Sequence, residues 1–292
     1  MRLRMLVVSA ALWVLAVTRV AAGNQQLLVS TDWLQRHRLD RGVTIVDVGD
    51  SQSYANGHIP GARFVALSGL LTTRNSIPNE LPDVPVLEKT LRAAGIPDRG
   101  RIIIYSRDVI AAARAFFTLD YLGHGDRTSI LDGGFAKWST EGRPVESGTP
   151  AVAAGEFSAR PRPEAKVSLA TLHLILYTAQ LQTLPLAIVD ARSPAQFLGV
   201  EAGADVTCPG HIPTAINVPW NENLTSATTP VFRTRDELAA LYRDAGVADD
   251  ATVIVYCRTG MQASVSYFVL RYLGREVVLY DGSYIEWIQF NS

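Results

Sequence analysis

The chain has 292 residues, of which 48% are hydrophobic and 19% charged, and its formal net charge is −1. That length is enough for two domains of ordinary size. The near-neutral balance, with no run of like charge, excludes a basic surface for nucleic acid, and two cysteines are too few for a disulfide framework.

The chain opens with Arg2 and Arg4, an apolar stretch from Met5 to Val17, and the small-residue segment Val20-Ala21-Ala22. The apolar run is about 13 residues, short of the roughly 18 to 20 that span a bilayer. A positive start, a short apolar run and small residues at the end form the pattern of a cleaved export signal. Residues 1–22 are therefore expected to be removed. The mature protein is then periplasmic or secreted, with no stable membrane insertion.

Short apolar runs at 43–48, 101–105 and 128–131 read as buried strands, and helical patterns cover 85–95 and 110–122. A stretch rich in Pro, Gly, Ala and Ser then runs from about Glu146 to Lys166 without hydrophobic period, as a linker does. Beyond it come strands at 186–190, 252–256 and 276–280 and helices at 168–182, 234–245 and 263–273. Alternating short strands and helices predict an α/β fold with mainly parallel sheets flanked by helices.

The two series are one series repeated. Residues 102–123 align without gaps against 253–274 with nine of twenty-two positions identical, among them Tyr105/Tyr256 and Arg107/Arg258. Ile-Val-Asp ends a strand at Asp47 and at Asp190, and Gly-His-Ile-Pro follows at Gly57–Pro60 and Gly210–Pro213. Asp132 and Asp281 are each followed by Gly, with a Trp six residues beyond the Asp. This is duplication of a whole domain. The expected organisation is a first domain over 24–147, a linker over 148–166 and a second domain over 167–292.

In parallel α/β sheets ligands bind beyond the carboxyl ends of strands, which here means Ser106–Val109 and Cys257–Gln262. Cys257 ends an apolar strand and precedes a helix starting near Ala263, so Arg258-Thr259-Gly260-Met261-Gln262 must form a tight loop. Backbone N–H groups in such a turn can cradle a negative atom, and the helix dipole adds to their effect. A thiolate at the centre would be stabilised and nucleophilic. The local alternative is a small buried cysteine at a strand end.

The loop Cys257-Arg258-Thr259-Gly260-Met261-Gln262-Ala263-Ser264, with the paired Gly-His-Ile-Pro motifs, resembles the active-site loop and second hallmark of the rhodanese family. The tandem arrangement, with a cysteine only in the second half, resembles that family's thiosulfate and 3-mercaptopyruvate sulfurtransferases. The resemblance implies two tandem rhodanese-like domains and a persulfide on Cys257, formed from a small anionic sulfur donor and discharged to a thiophilic acceptor such as cyanide or a thiol. It implies no cofactor and no metal, and a monomer is expected. Arg192 matches the family's donor-binding arginine, and its guanidinium suits a thiosulfate or carboxylate, although a plain ion pair fits the sequence equally well. Residues 258–262, from Arg258 through Thr259, Gly260 and Met261 to Gln262, would line the donor site. Asp190 would support the loop or cap its strand. Trp33 would turn toward the cleft or pack at a helix start. His58 and His211 occur in both halves and read as structural.

Ser106 stands where the second half has Cys257, so the first domain should be catalytically silent. Arg258 leans toward thiosulfate as donor. 3-Mercaptopyruvate enzymes favour a Cys-Gly-Ser-Gly start, and Thr259 stands where thiosulfate enzymes of vertebrate type carry lysine. A non-catalytic persulfide carrier shares the same loop. A cysteine phosphatase would need arginine six residues after the cysteine, where this chain has Ala263. Cys208 ends an insertion, Gly199–Cys208, that lengthens the Asp-to-His spacing from eleven residues to twenty-one. It reads as an inert loop residue or as a resolving partner for Cys257.

Overall fold

The computed structural model describes residues 26–179, 185–226 and 229–291. The expected export signal lies outside them. Among the described residues no helix is long and apolar enough to cross a membrane.

The first half runs β1 (Leu28–Val29), α1 (Thr31–His37), β2 (Val43–Gly49), α2 (Ser51–Asn56), β3 (Arg63–Ala66), β4 (Thr72–Arg74), β5 (Ile77–Glu80), α3 (Val84–Ala93), β6 (Arg101–Tyr105), α4 (Val109–Tyr121), β7 (Thr128–Leu131) and α5 (Gly134–Thr140). The second runs β8 (Lys166–Val167), α6 (Leu169–Ala179), β9 (Leu186–Asp190), α7 (Pro194–Phe197), β10 (Ile216–Asn217), α8 (Arg235–Asp244), β11 (Thr252–Tyr256), α9 (Ala263–Leu273), β12 (Val277–Tyr280) and α10 (Ser283–Asn291). Two parallel sheets result, ordered β1-β7-β6-β2-β3 and β8-β12-β11-β9-β10. Each strand of one has its duplicate at the same place in the other. Lys166, expected as the end of the linker, already belongs to β8, where it pairs with Leu279.

The central strands β6 and β11 are covered on both faces, which is why they read as unbroken apolar runs and not as alternation. Helix α4 is buried from Ala111 through Asp120. A helix that hides all its faces belongs inside a larger body, and α4 lies between the two domains, against α9. Phe116 meets Phe268 and Phe117 meets Tyr267 edge to face, both with centroids 4.9 Å apart. Residues 116 and 117 are the duplicates of 267 and 268, so the contact is self-complementary, as across a two-fold axis. Near it the Asp120 carboxylate accepts from the Tyr267 hydroxyl (2.6 Å), Arg271 Nε (2.8 Å) and Arg162 Nη1 (2.7 Å). One apolar core therefore spans both halves. Its effect is to hold the carboxyl end of β11 at a fixed distance from the first domain.

Candidate active site

β11 delivers Cys257 to the carboxyl edge of the second sheet, where only 1% of the residue is exposed. The chain must then reverse within five residues to start α9. Gly260 makes this possible with φ +80°, and a Cβ there would lie 2.8 Å from the Asp281 carbonyl oxygen.

α10 fixes the start of the loop from below. Tyr284 N–H donates to the Cys257 carbonyl (2.9 Å) and Ile285 N–H to the Arg258 carbonyl (3.1 Å). Ser283 holds φ +56°, uncommon for a residue with a side chain. There its hydroxyl accepts from Cys257 N–H (3.3 Å) and donates to the Tyr280 carbonyl (2.9 Å). With the first two carbonyls turned toward α10, the N–H groups of residues 258–262 have no acceptor among the described residues. Consecutive N–H groups left free at a helix start are able to cradle an anion.

Asp190 and Arg192 form the neighbouring wall. Arg192 Nε donates to Oδ1 at 3.0 Å and Nη2 to Oδ2 at 2.5 Å, and Nη2 also reaches the Gly210 carbonyl at 2.7 Å. The guanidinium lies 3.9 Å over the Tyr284 ring and is almost fully buried. The plain ion pair left open by the sequence is thus present, but inside the protein. Nη1 is the guanidinium nitrogen left for a donor.

Arg258 turns away from the cysteine toward the insertion, with Nη1 3.0 Å from the Ala204 carbonyl and 3.9 Å from Asp205. The Tyr284 hydroxyl pins the same insertion by donating to the Cys208 carbonyl at 3.0 Å. Cys208 is exposed, Cys257 is buried, and both are free thiols. Met261 and Gln262 are half-buried at the start of α9.

Thr259 is buried, and its hydroxyl oxygen accepts from Asn79 of the first domain (3.1 Å). Beside that contact Leu81 N–H donates to Asp281 Oδ2 (2.8 Å), and Arg114 pairs with Asp281 Oδ1 (2.7 Å) while donating to the Asn79 carbonyl (2.6 Å). A polar cavity of about 320 Å³, lined by Arg74, Glu80, Asp83, Tyr121 and Lys166 among others, adjoins the antiparallel pair β4–β5 but does not include Cys257.

Cys257, Asp190, Arg192 and the loop 258–262 are brought together as expected. Trp33 is not among them. It stacks on His37 (4.2 Å) under Arg101 (4.3 Å), the residue that begins β6, whereas the loop of that half leaves the strand's other end. Ser30 caps α1 through Trp33 N–H and fixes this helix-start packing. His58 and His211 are held in their own turns, stacked on Tyr54 and Phe197. Ser283, Tyr284, Arg114 and Asn79 carry no sequence signal of this role by themselves, and Asp281 stands out only as part of the repeat. The aligned Asp-Gly-Gly-Phe and Asp-Gly-Ser-Tyr segments could have exposed Ser283, since a serine there replaces a glycine.

The rhodanese-like domain model matches residues 30–141 and again 176–290. Over 275 residues the chain is 34% identical to 3-mercaptopyruvate sulfurtransferase of Escherichia coli, covering 89% of this chain and 94% of that protein. It is 32% identical to the sulfur carrier protein TtuD of Thermus thermophilus, covering 90% and 94%. It is 33% identical to a Saccharopolyspora erythraea protein provisionally named a thiosulfate sulfurtransferase, again covering 90% and 94%. The crystal structure of SseA from Escherichia coli superimposes with a TM-score of 0.78 at 32% identity, covering 89% of this chain and all but 1% of that one. With both domains matched and the duplicated sheets meeting around one cysteine loop, the chain belongs to the rhodanese family of sulfurtransferases.

Proposed function

We propose that the protein moves a sulfane sulfur from thiosulfate to a thiophilic acceptor through a persulfide on Cys257. The observation that carries this reading is the run of free N–H groups at 258–262 around the only cysteine at a sheet edge. The Cys257 thiolate attacks the outer sulfur of thiosulfate, the sulfur–sulfur bond breaks with its electron pair, and sulfite leaves. Cyanide or a thiolate then takes the outer sulfur of the persulfide and restores the thiolate, so no external oxidant or reductant is consumed. The free N–H groups would hold the persulfide anion. Nη1 of Arg192 supplies positive charge for a small dianion, and Arg258 adds to it at longer range from the side of the insertion.

A second reading takes 3-mercaptopyruvate as donor, with pyruvate leaving as its enolate and taking up a proton. The Escherichia coli relative favours it, as does the turning of Arg258 toward Ala204. The relative named as a sulfur carrier supports a third, in which the same persulfide is handed to a partner. kcat/KM for the two donors with cyanide as acceptor separates the first two, since the thiosulfate reading requires the larger value for thiosulfate. Turnover with neither donor, alongside a stable persulfide on Cys257, would favour the carrier. We also propose that the protein acts as an exported monomer. The intact mass of the mature protein tests the export, with loss of residues 1–22 expected.

A further inference from the structure

The duplication supplies its own control for residues around the cysteine loop. Each half lends a hairpin to the other: β4–β5 in the first half, and the Leu224–Phe232 bridge in the second. Each hairpin donates one backbone N–H to the aspartate that follows the last strand of the opposite sheet. Leu81 N–H reaches Asp281 at 2.8 Å, and Phe232 N–H reaches Asp132 at 3.0 Å. Up to this point the two interfaces match.

They differ in one buried charge. Arg114, on α4 of the half without a cysteine, pairs with Asp281 at 2.7 Å. The aligned residue on α9 is Val265, and Asp132, which faces that half, has no arginine partner among the described residues. Burial instead pushes the Asp132 carboxyl above its ordinary range.

Arg114 is costly where it stands. It is fully buried, and its Nε lacks a partner. Apolar side chains in place of a buried ion pair are often neutral or stabilising, and Val265 is such a side chain at the equivalent place. Stability alone does not account for the arginine.

Its contacts converge on the cysteine loop. Nη1 holds Asp281, and a Cβ on Gly260 would lie 3.4 Å from the same nitrogen. Nη2 holds the carbonyl of Asn79 (2.6 Å), whose side-chain amide donates to Thr259 (3.1 Å). Asn79 keeps φ +64° while doing so. One guanidinium thus braces the loop on two sides, behind Gly260 and through Asn79 on Thr259.

We infer that Arg114 is a positioning residue for sulfur transfer, by which the domain lacking a cysteine sets the shape of the cradle around Cys257. This deepens the proposed function and rests on Cys257 being the nucleophile. A cradle displaced by about 1 Å loses on the order of 100-fold in rate, and the loss falls on kcat because the clamp grips the loop from behind.

The test uses the full chain, with whichever of thiosulfate and 3-mercaptopyruvate the wild type turns over faster. The double variant Arg114→Met/Asp281→Asn removes the pair without stranding a buried charge. It is expected to melt near the wild-type temperature, with kcat lowered about 100-fold and KM changed by less than about threefold. Arg114→Lys keeps the charge on Asp281 but cannot reach Asn79 as well, and should recover to within about tenfold of the wild-type kcat. Arg271→Met breaks a different inter-domain pair, with Asp120, remote from the loop. It should melt several degrees lower with kcat unchanged. A folded double variant with wild-type kcat would overturn the assignment, and so would kcat losses that follow melting temperature across all three variants. Cys257→Ala measured in parallel keeps the two readings apart, because transfer surviving there refutes the nucleophile, whereas wild-type kcat in the double variant with Cys257→Ala inactive refutes the clamp alone.

Discussion

The two halves solve one problem with different arginines. In each, a buried aspartate lies in the last residues of the second strand of the half and an aromatic ring follows the last strand, with a guanidinium against both. In the second half that guanidinium is Arg192, doubly bonded to Asp190 and 3.9 Å over Tyr284. In the first half the place of Arg192 is taken by Gly49, and Arg107 folds in from the loop to lie 4.0 Å over Phe135 and 3.7 Å from Asp47. Arg107 also donates to the Gly57 carbonyl. The loop arginine is taken up as filler in the half without a cysteine. Where the strand end brings its own arginine, the loop arginine is released toward the insertion, and the loop can wrap a bound anion. Losing the cysteine and losing the cradle are thus two separate differences between the halves.

Breaking the comparison at its sharpest point means exchanging the two loop residues that differ in chemistry. Cys257→Ala should abolish transfer, by more than about 1,000-fold, whereas Ser106→Ala should leave steady-state turnover within about twofold of wild type. Comparable losses in both variants would mean that the first domain is not silent.

The next largest effect belongs to the glycines of the two turns. Gly260→Ala places a Cβ against the Asp281 carbonyl at φ +80°, a strain of about 1–2 kcal/mol in the left-handed region before any shift of the loop. kcat should fall roughly 100-fold. Gly134, at φ +53° over the Ser106 carbonyl, occupies the position of Ser283. Gly134→Ala should lower the melting temperature with activity retained, and an activity loss equal to that of Gly260→Ala would erase the distinction between the halves.

How much of this the sequence carried depended on periodicity. Strands 101–105, 128–131, 186–190 and 252–256 and helix 263–273 are found at the bounds that their apolar runs predict. The edge strands β1, β8 and β10 have two residues each, too few to show a period, and they exist because a neighbouring strand offers its free edge. Helix α10 shows no period in the sequence, although Trp287 belongs to the repeat, because its apolar and polar residues alternate without a clear face. The site was legible where a single loop carries it. It was not legible where residues 79, 114 and 281 meet, because those contacts depend on how one domain sits on the other. Arg192 shows a different limit: no sequence pattern tells a guanidinium facing solvent from one locked on its own aspartate.

The ion pairs offer a third comparison. Arg192→Met leaves Asp190 buried without its partner, a change that costs about 3–5 kcal/mol, read as a lower urea midpoint. Arg107→Met should cost less than half as much, since Arg107 is a third exposed and 3.7 Å from Asp47. Equal losses would contradict the different burial of the two pairs.

The smallest effect is expected at Arg258. Its contact with Asp205 is long and exposed, so Arg258→Ala should barely move the melting temperature. It should raise KM for thiosulfate by up to about tenfold, as loss of a nearby positive charge facing a dianion does. An unchanged KM would shift the donor assignment toward 3-mercaptopyruvate.

The most direct test of the central claim is the mass of the intact protein after incubation with thiosulfate or 3-mercaptopyruvate and removal of excess donor. One added sulfur atom is predicted, located on Cys257 by peptide mapping, absent from Cys208 and lost on addition of cyanide. A protein that gains no sulfur from either donor, or gains it on Cys208 alone, would contradict the account.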